Sequence, residues 1–174
     1  EREEISDGAI MKVCRDKVTT PSGYSYRELI EHNGAVCIVP ITDDGKVVMV
    51  RQFRYVIGRS VLEIPAGKID DGETDPLNTA IRELKEETGY TATDVRYLGK
   101  LSPSVAYTKE IIYVYGMTGL VPGEPNFDED EVIDMELIDF DELYGMAGRG
   151  ELIDVKTIAA LFMAKVQMAD ILDR

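Results

Sequence analysis

The chain has 174 residues, 44% hydrophobic and 30% charged, with a formal net charge of −14 at pH 7. That length suits one domain able to bury a real core, with room for a small N-terminal appendage, and the composition is that of an ordinary globular protein. The acidic balance speaks against nucleic acid or an anionic membrane surface as a partner, since both require a basic face, and it suits work with divalent cations.

Residues 9–31 read as two short strands around the Pro21-Ser22-Gly23 turn. GAVCIVPI (34–41) and KVVMVRQF (46–53) predict a hairpin through Thr42-Asp43-Asp44-Gly45. VLEIPAG (61–67) is a short strand running into a glycine loop. Asp75 followed by Pro76 is an N-cap with proline at the first helical position, and Gly89 is a natural stop. Between them Leu77, Ala80, Ile81, Leu84 and Thr88 form the expected buried stripe. Strands are expected at 95–101, 110–120 and 132–138, the last preceded by the acidic run NFDEDE (126–131). Two helices close the chain near 140–147 and 154–171, the second amphipathic through Val155, Ile158, Ala159, Phe162 and Val166. The fold class is α+β, with strands that pair mostly locally and helices packed on them.

Cys14 and Cys37 stand far apart without CxxC spacing, which speaks against a disulfide framework or zinc site and fits a reducing compartment. His32 is the only histidine, so no Ser-His or Cys-His scheme is open unless His32 itself serves it. There is no signal-peptide pattern and no apolar run of spanning length, and a cytoplasmic protein is expected.

The chemistry concentrates in GKIDDGETDPLNTAIRELKEETGY (67–90). At 100° per residue, Glu83 and Glu87 fall on one flank, roughly 80–120° from the Leu77 stripe, with Glu86 farther toward solvent. Like charges four apart each cost a helix roughly 0.2–0.5 kcal/mol, so such a cluster calls for a cation, and hard oxygen ligands select Mg²⁺ or Mn²⁺. A solvated acidic face salt-bridged by Arg82 and Lys85 is the alternative that spacing alone leaves open.

The flanks run Gly67, five residues, Glu73, then Arg82-Glu83-Leu84-Lys85-Glu86-Glu87-Thr88-Gly89-Tyr90. This resembles the Nudix box, Gly-x5-Glu-x7-Arg-Glu-U-x-Glu-Glu-x-Gly-U, with U aliphatic or bulky. One departure is that eight residues, Thr74 to Ile81, separate Glu73 from Arg82. RELIEHNGAV (27–36), VRQFRYVIG (50–58), LEIPAGKIDDGE (62–73) and IDVKTIAAL (153–161) look like the ADP-ribose pyrophosphatase branch of that family.

The resemblance implies a Nudix fold, a mixed sheet between helices in an α/β/α sandwich, with residues 34–174 as the catalytic domain. It implies that residues 1–33 form a small antiparallel sheet swapped across a homodimer. It further implies a Mg²⁺ or Mn²⁺ site made by Glu83, Glu87, Glu86 and the carbonyl of Ala66, with Arg82 steadying the glutamates. Arg54 and Arg51 would meet phosphate, Glu63 would contribute to the cleft, and Tyr24 and Tyr26 would stack on a base. Tyr107 belongs to Ser102-Pro103-Ser104-Val105-Ala106-Tyr107, where the branch usually has Pro and Gly in place of Val105 and Ala106. With no well-placed histidine, a carboxylate must activate water: Glu131 or Glu129 of the acidic run, with Glu86 also among the catalytic groups.

The expected activity is Mg²⁺-dependent hydrolysis of ADP-ribose to AMP and ribose 5-phosphate. GDP-mannose-type or other nucleotide-sugar hydrolysis stands beside it, and a non-catalytic nucleotide-sugar sensor is the rival of another class.

Overall fold

Proline interrupts what the sequence presents as a single strand at VLEIPAG, and the consequence organises the molecule. Pro65 has no N–H to donate to a ladder. The segment therefore splits into two strands that join different sheets. A computed structural model describes residues 1–8, 11–127 and 132–172. Among these the strands are β1 Arg2–Asp7, β2 Lys12–Thr20, β3 Gly23–Glu31, β4 Ala35–Pro40, β5 Lys46–Arg54, β6 Arg59–Glu63, β7 Ala66–Lys68, β8 Thr91–Leu101, β9 Ile112–Val121 and β10 Ile133–Asp139. The helices are α1 Pro76–Thr88, α2 Phe140–Gly148, α3 Val155–Gln167 and the short α4 Ala169–Leu172.

The central sheet has the order β7-β4-β9-β8, with β4 parallel to β9 and the other pairs antiparallel. β4 is apolar on both faces because both are covered. Val36 and Ile38 pack with Ala80 and Leu84 of α1, and Cys37 and Val39 pack with Leu143 of α2 and Ala160 and Leu161 of α3. This is the expected α/β/α arrangement. A second sheet, β10-β5-β6, carries β6 to the Pro65 break, and Ala66 begins the edge strand β7. Among the described residues no helix is long and apolar enough to cross a membrane.

The N-terminal sheet has three strands rather than two. β1 pairs antiparallel with β2 and is exposed throughout, so it carries no apolar alternation to read. It is held by pairing and by charge, with Arg2 bridging Asp16 at 2.6 Å and also bonding Glu31. The sheet joins the rest of the chain where Ile30 N–H donates to the Tyr107 carbonyl at 2.7 Å and Lys109 N–H donates to the Ile30 carbonyl at 3.0 Å.

Both main helices are rotated from their expected faces. In α1 the Asp75 cap forms, accepting from Leu77 N–H at 3.0 Å, and Gly89 ends the helix at φ 75°. Ile81, however, is 45% exposed, while Glu87 is 5% exposed. The buried arc is turned toward the glutamate flank, which faces β7. In α3 the expected Val155, Phe162 and Val166 are exposed, and Thr157, Ala160, Leu161 and Ala164 are buried. Small residues let α3 approach the sheet closely, a fit that apolar periodicity alone does not reveal. The predicted helix over 154–171 also breaks at Met168, between α3 and α4.

Candidate active site

α1 lays its glutamates against the Ala66-Gly67 backbone. Ala66 N–H donates to Glu87 Oε2 at 3.1 Å. The Glu83 carboxylate rests on Gly67 so closely that a Cβ there would lie 1.9 Å from Cδ and 2.0 Å from Oε1. The box glycine is therefore the space in which Glu83 sits. Arg82 Nη1 bonds Glu83 Oε1 at 2.9 Å and Glu86 Oε2 at 2.8 Å. Its Nη2 lies 3.4 Å from Asp70 Oδ2 and 3.9 Å from Glu73 Oε2. The extra residue before the helix thus leaves Glu73 within reach of Arg82, although Glu73 Oε2 is buried without a hydrogen-bond partner.

Burial alone would lower the Arg82 guanidinium, but Glu83 and Glu86 outweigh it and hold it raised. Among the described residues no three of His, Cys, Asp and Glu close into a ready-made metal cage. Arg82 sits between Glu83 and Glu86 instead. The donor set is nonetheless all hard oxygen, and its cradle is shaped by a glycine that a side chain would fill. These residues fit an oxygen-liganded divalent cation.

Beside this corner the ends of β5 and β6 meet the start of α3. Arg54 grips Glu63 bidentately, Nε to Oε1 at 2.7 Å and Nη2 to Oε2 at 2.8 Å. Glu63 also accepts from Lys156 Nζ, which reaches Asp154 Oδ2 at 3.0 Å. Burial would raise the Glu63 carboxyl, yet the bonds from Arg54 and the Lys156 ammonium hold it below the usual carboxylate range. Burial likewise would lower Lys156, but Asp154 and Glu63 keep it raised. The charge of Glu87 reaches Arg54 as well, which links the arginine to the carboxylate corner.

The box spacing, the glycine cradle and the α/β/α sandwich coincide with a NUDIX domain family model over residues 31–161. The chain belongs to the NUDIX family. It is 39% identical over 170 residues to the methanol dehydrogenase activator of Bacillus methanolicus, covering 96% of this chain and 91% of that one. It is 36% identical over 163 residues to the ADP-ribose pyrophosphatase of Bacillus subtilis, covering 92% and 88%. In fold it is similar to a crystal structure of an ADP compounds hydrolase, with TM-score 0.85, 24% identity and coverage of 98% and 92%.

The remaining candidates scatter around this NUDIX core. Arg51 lies three residues from Arg54 along β5 and so faces the other side of the strand. Its guanidinium is held by Glu136 at 2.5 Å, and the structure does not bring it together with Arg54. Tyr24 and Tyr26 stand exposed on one face of β3, with Lys17 Nζ 4.7 Å from the centroid of the Tyr24 ring. Tyr107 is exposed beside the junction with the N-terminal sheet. Glu129 and Glu131 lie outside the described residues.

The segment before them is anchored to α1. Asn126 N–H donates to the Glu86 carbonyl at 2.9 Å, and a Cβ on Gly89 would lie 2.4 Å from the Gly123 carbonyl oxygen. His32 accepts from Gly34 N–H at 3.0 Å through Nδ1, a turn contact. Cys14 and Cys37 are free and buried, and burial pushes the Cys37 thiol up to about 12. A cavity of about 970 Å³ lined by Asp43, Asp94, Asp139 and Asp170 shares no residue with the carboxylate corner or Arg54.

Sequence reading missed Lys156, Asp154 and Asn126. Asp154 and Thr157 do carry a signal, an Asp-x-x-Thr start to an apolar helix, which marks a cap. Nothing local says that Lys156 turns inward to a glutamate 93 residues away.

Proposed function

We propose that this NUDIX protein is a divalent-cation-dependent pyrophosphohydrolase that splits ADP-ribose into AMP and ribose 5-phosphate. The observation that carries the reading is the packing of Glu83 and Glu87 on the Ala66-Gly67 backbone, next to an arginine held by a buried glutamate. The similarity to an ADP-ribose pyrophosphatase over most of both chains supports the choice of substrate.

Glu83, Glu87, Glu86 and the Ala66 carbonyl would hold Mg²⁺, or Mn²⁺ in its place. When bound, the cation supplies charge neutralisation of the diphosphate and polarisation of its phosphorus. The chain's own part is to bind and orient. Arg54 offers its guanidinium to a phosphate oxygen, and Glu63 fixes the direction of that fork. Glu131, or Glu129 in its place, accepts the proton of the attacking water. Tyr24 and Tyr26 stack on the base, contacts worth about 1–3 kcal/mol each in nucleic-acid systems. Tyr107 flanks the sugar end. Arg51 contributes positive charge only at longer range, because Glu136 already binds it.

Residues 1–33 are proposed to exchange across a homodimer and residues 34–174 to form the catalytic unit. The exposed tyrosines of β3 and the narrow junction at Ile30 support that arrangement. A cytoplasmic setting accords with two unpaired cysteines.

Product analysis with Mg²⁺ on ADP-ribose, GDP-mannose, other nucleotide sugars and NADH tests the reading. AMP released preferentially from ADP-ribose supports it; preference for GDP-mannose keeps the chemistry and reassigns the pocket. Similarity over 96% of the chain to a methanol dehydrogenase activator favours a second reading, action on a dehydrogenase. It would gain ground if no free nucleotide turned over while this protein raised turnover by a methanol dehydrogenase.

A further inference from the structure

We infer that Lys156 is a positioning residue whose buried ammonium neutralises Glu63 and so leaves the Arg54 guanidinium available to the substrate diphosphate. The inference rests on the proposed role of Arg54. Four charged groups alternate from the start of α3 to the end of β5: Asp154, Lys156, Glu63 and Arg54. The Lys156 side chain is 14% exposed and that of Glu63 only 4%, whereas that of Arg54 is 44% exposed. Lys156 is thus too enclosed to meet a substrate itself, while Arg54 is open to one.

Lys156 and Arg54 share a single acceptor. Glu63 Oε2 takes both the Arg54 Nη2 bond at 2.8 Å and the Lys156 bond. A carboxylate bound by one cation alone would cancel that cation, and a guanidinium cancelled in this way offers little to a phosphate. With Lys156 present, Glu63 is neutralised from behind and serves Arg54 as an orienting acceptor.

The start of α3 is built to hold the lysine in place. Asp154 caps the helix, accepting from Thr157 N–H at 3.0 Å and from Thr157 Oγ1 at 2.6 Å. Thr157 Oγ1 in turn accepts from Ile64 N–H at 3.0 Å, which fastens α3 to the residue after Glu63. The negative charge facing Lys156 is that of Asp154 and Glu63, and the buried thiol of Cys37 stands nearby as a neutral neighbour.

The test compares the parent with K156Q, K156R and the double variant E63Q/K156Q, using ADP-ribose with Mg²⁺. K156Q keeps a hydrogen-bond donor, one atom shorter in reach, and loses the charge. It is expected to raise KM about tenfold while kcat changes less than about threefold, as loss of the positive charge that offsets Glu63 behind Arg54 implies. K156R restores the charge and should return KM most of the way. E63Q/K156Q removes the buried carboxylate together with the cation, so it should fold even if K156Q does not, and it should also recover much of the lost KM. A merely structural lysine would lower the melting temperature of K156Q and leave KM unmoved, and that result overturns the inference.

The Arg54 Nε–H signal in ¹⁵N NMR, assigned by its loss in R54K, supplies a readout independent of turnover. Its exchange with solvent should slow in K156Q, where Glu63 holds arginine alone, and recover in K156R. If the parent hydrolyses nothing, the functional reading falls while this signal still decides the part played by Lys156. An Arg54 signal unchanged in K156Q overturns it.

Discussion

The carboxylate corner and the arginine arm lie side by side, yet they are assembled in opposite ways. The corner comes from one continuous stretch. Ala66 and Glu87 are 21 residues apart, and Gly67, Arg82, Glu83 and Glu86 lie between them. The arm joins Arg54 to Glu63 across 9 residues and then Glu63 to Lys156 across 93. A local site imprints its spacing on the sequence, because a glycine, a turn and a helix face must fall at fixed intervals. A site closed by distant elements leaves only isolated residues whose meeting depends on the whole fold. The corner gathers several carboxylates around one arginine, while the arm alternates acidic and basic groups along its length.

The largest break in this comparison is Glu87→Gln. The amide can still accept from Ala66 N–H, so the fold should survive, but kcat should fall at least about a hundredfold. Circular dichroism and steady-state rates on the same preparation check both halves. Gly67→Ala comes next. Its backbone carries no positive-φ requirement, so the new methyl acts chiefly by displacing the Glu83 carboxylate. Mg²⁺ affinity by calorimetry should weaken about tenfold or more, within the range seen when groups supporting a metal ligand are disturbed.

Leu84→Ala separates packing from chemistry. It removes a fully buried side chain between the glutamates and should cost about 2–5 kcal/mol in a denaturant melt. Arg54→Ala should raise KM clearly, whereas Arg51→Ala should shift it by less than about twofold. The Arg51–Glu136 pair is partly exposed and worth about 0–1 kcal/mol to stability.

The pH dependence of stability distinguishes the arm from the corner more finely. Glu63 is held below its unfolded value, so its contribution is complete above the unfolded value of about 4.3 and is lost as pH falls through the lower folded one. Lys156 is held above its unfolded value, so its contribution is complete below about 10.4 and is lost as pH rises through the higher folded one. The stability difference between the parent and E63Q/K156Q should therefore be flat between about pH 4.3 and 10.4 and change only beyond those limits. A difference that already drifts across neutral pH would place another titrating group in the network.

Much of the fold was legible because its signals are local. The cap at Asp75, the stop at Gly89, the turn near Gly45 and the doubly apolar β4 each follow from residues within a few positions. The hairpin predicted around that turn does not form: beyond a single bridge between Ile41 and Val47, β4 and β5 part into different sheets, because β4 pairs with β7 and β9 and β5 with β6 and β10. The misread parts depend on what lies opposite. Phe162 and Val166 look like core by hydrophobicity, yet they are 59% and 64% exposed because Ala160 and Ala164 let the backbone of α3 come close. Ile81 gave way to Glu87 for a similar reason: the helix turns toward β7, where Ala66 N–H meets the carboxylate. β1 left no trace because none of its side chains is buried. The Arg-Glu box was readable in full, whereas Lys156 needed α3 to be docked before its partner could be named.

The central claim is that the carboxylate corner holds the divalent cation on which diphosphate cleavage depends. The most direct test titrates Mg²⁺ into metal-free parent protein and E87Q, following calorimetric binding and AMP release from ADP-ribose on the same samples. The account predicts that binding and AMP release saturate together in the parent and are both lost in E87Q. AMP release at full rate in the presence of a chelator, or undiminished in E87Q, would contradict it.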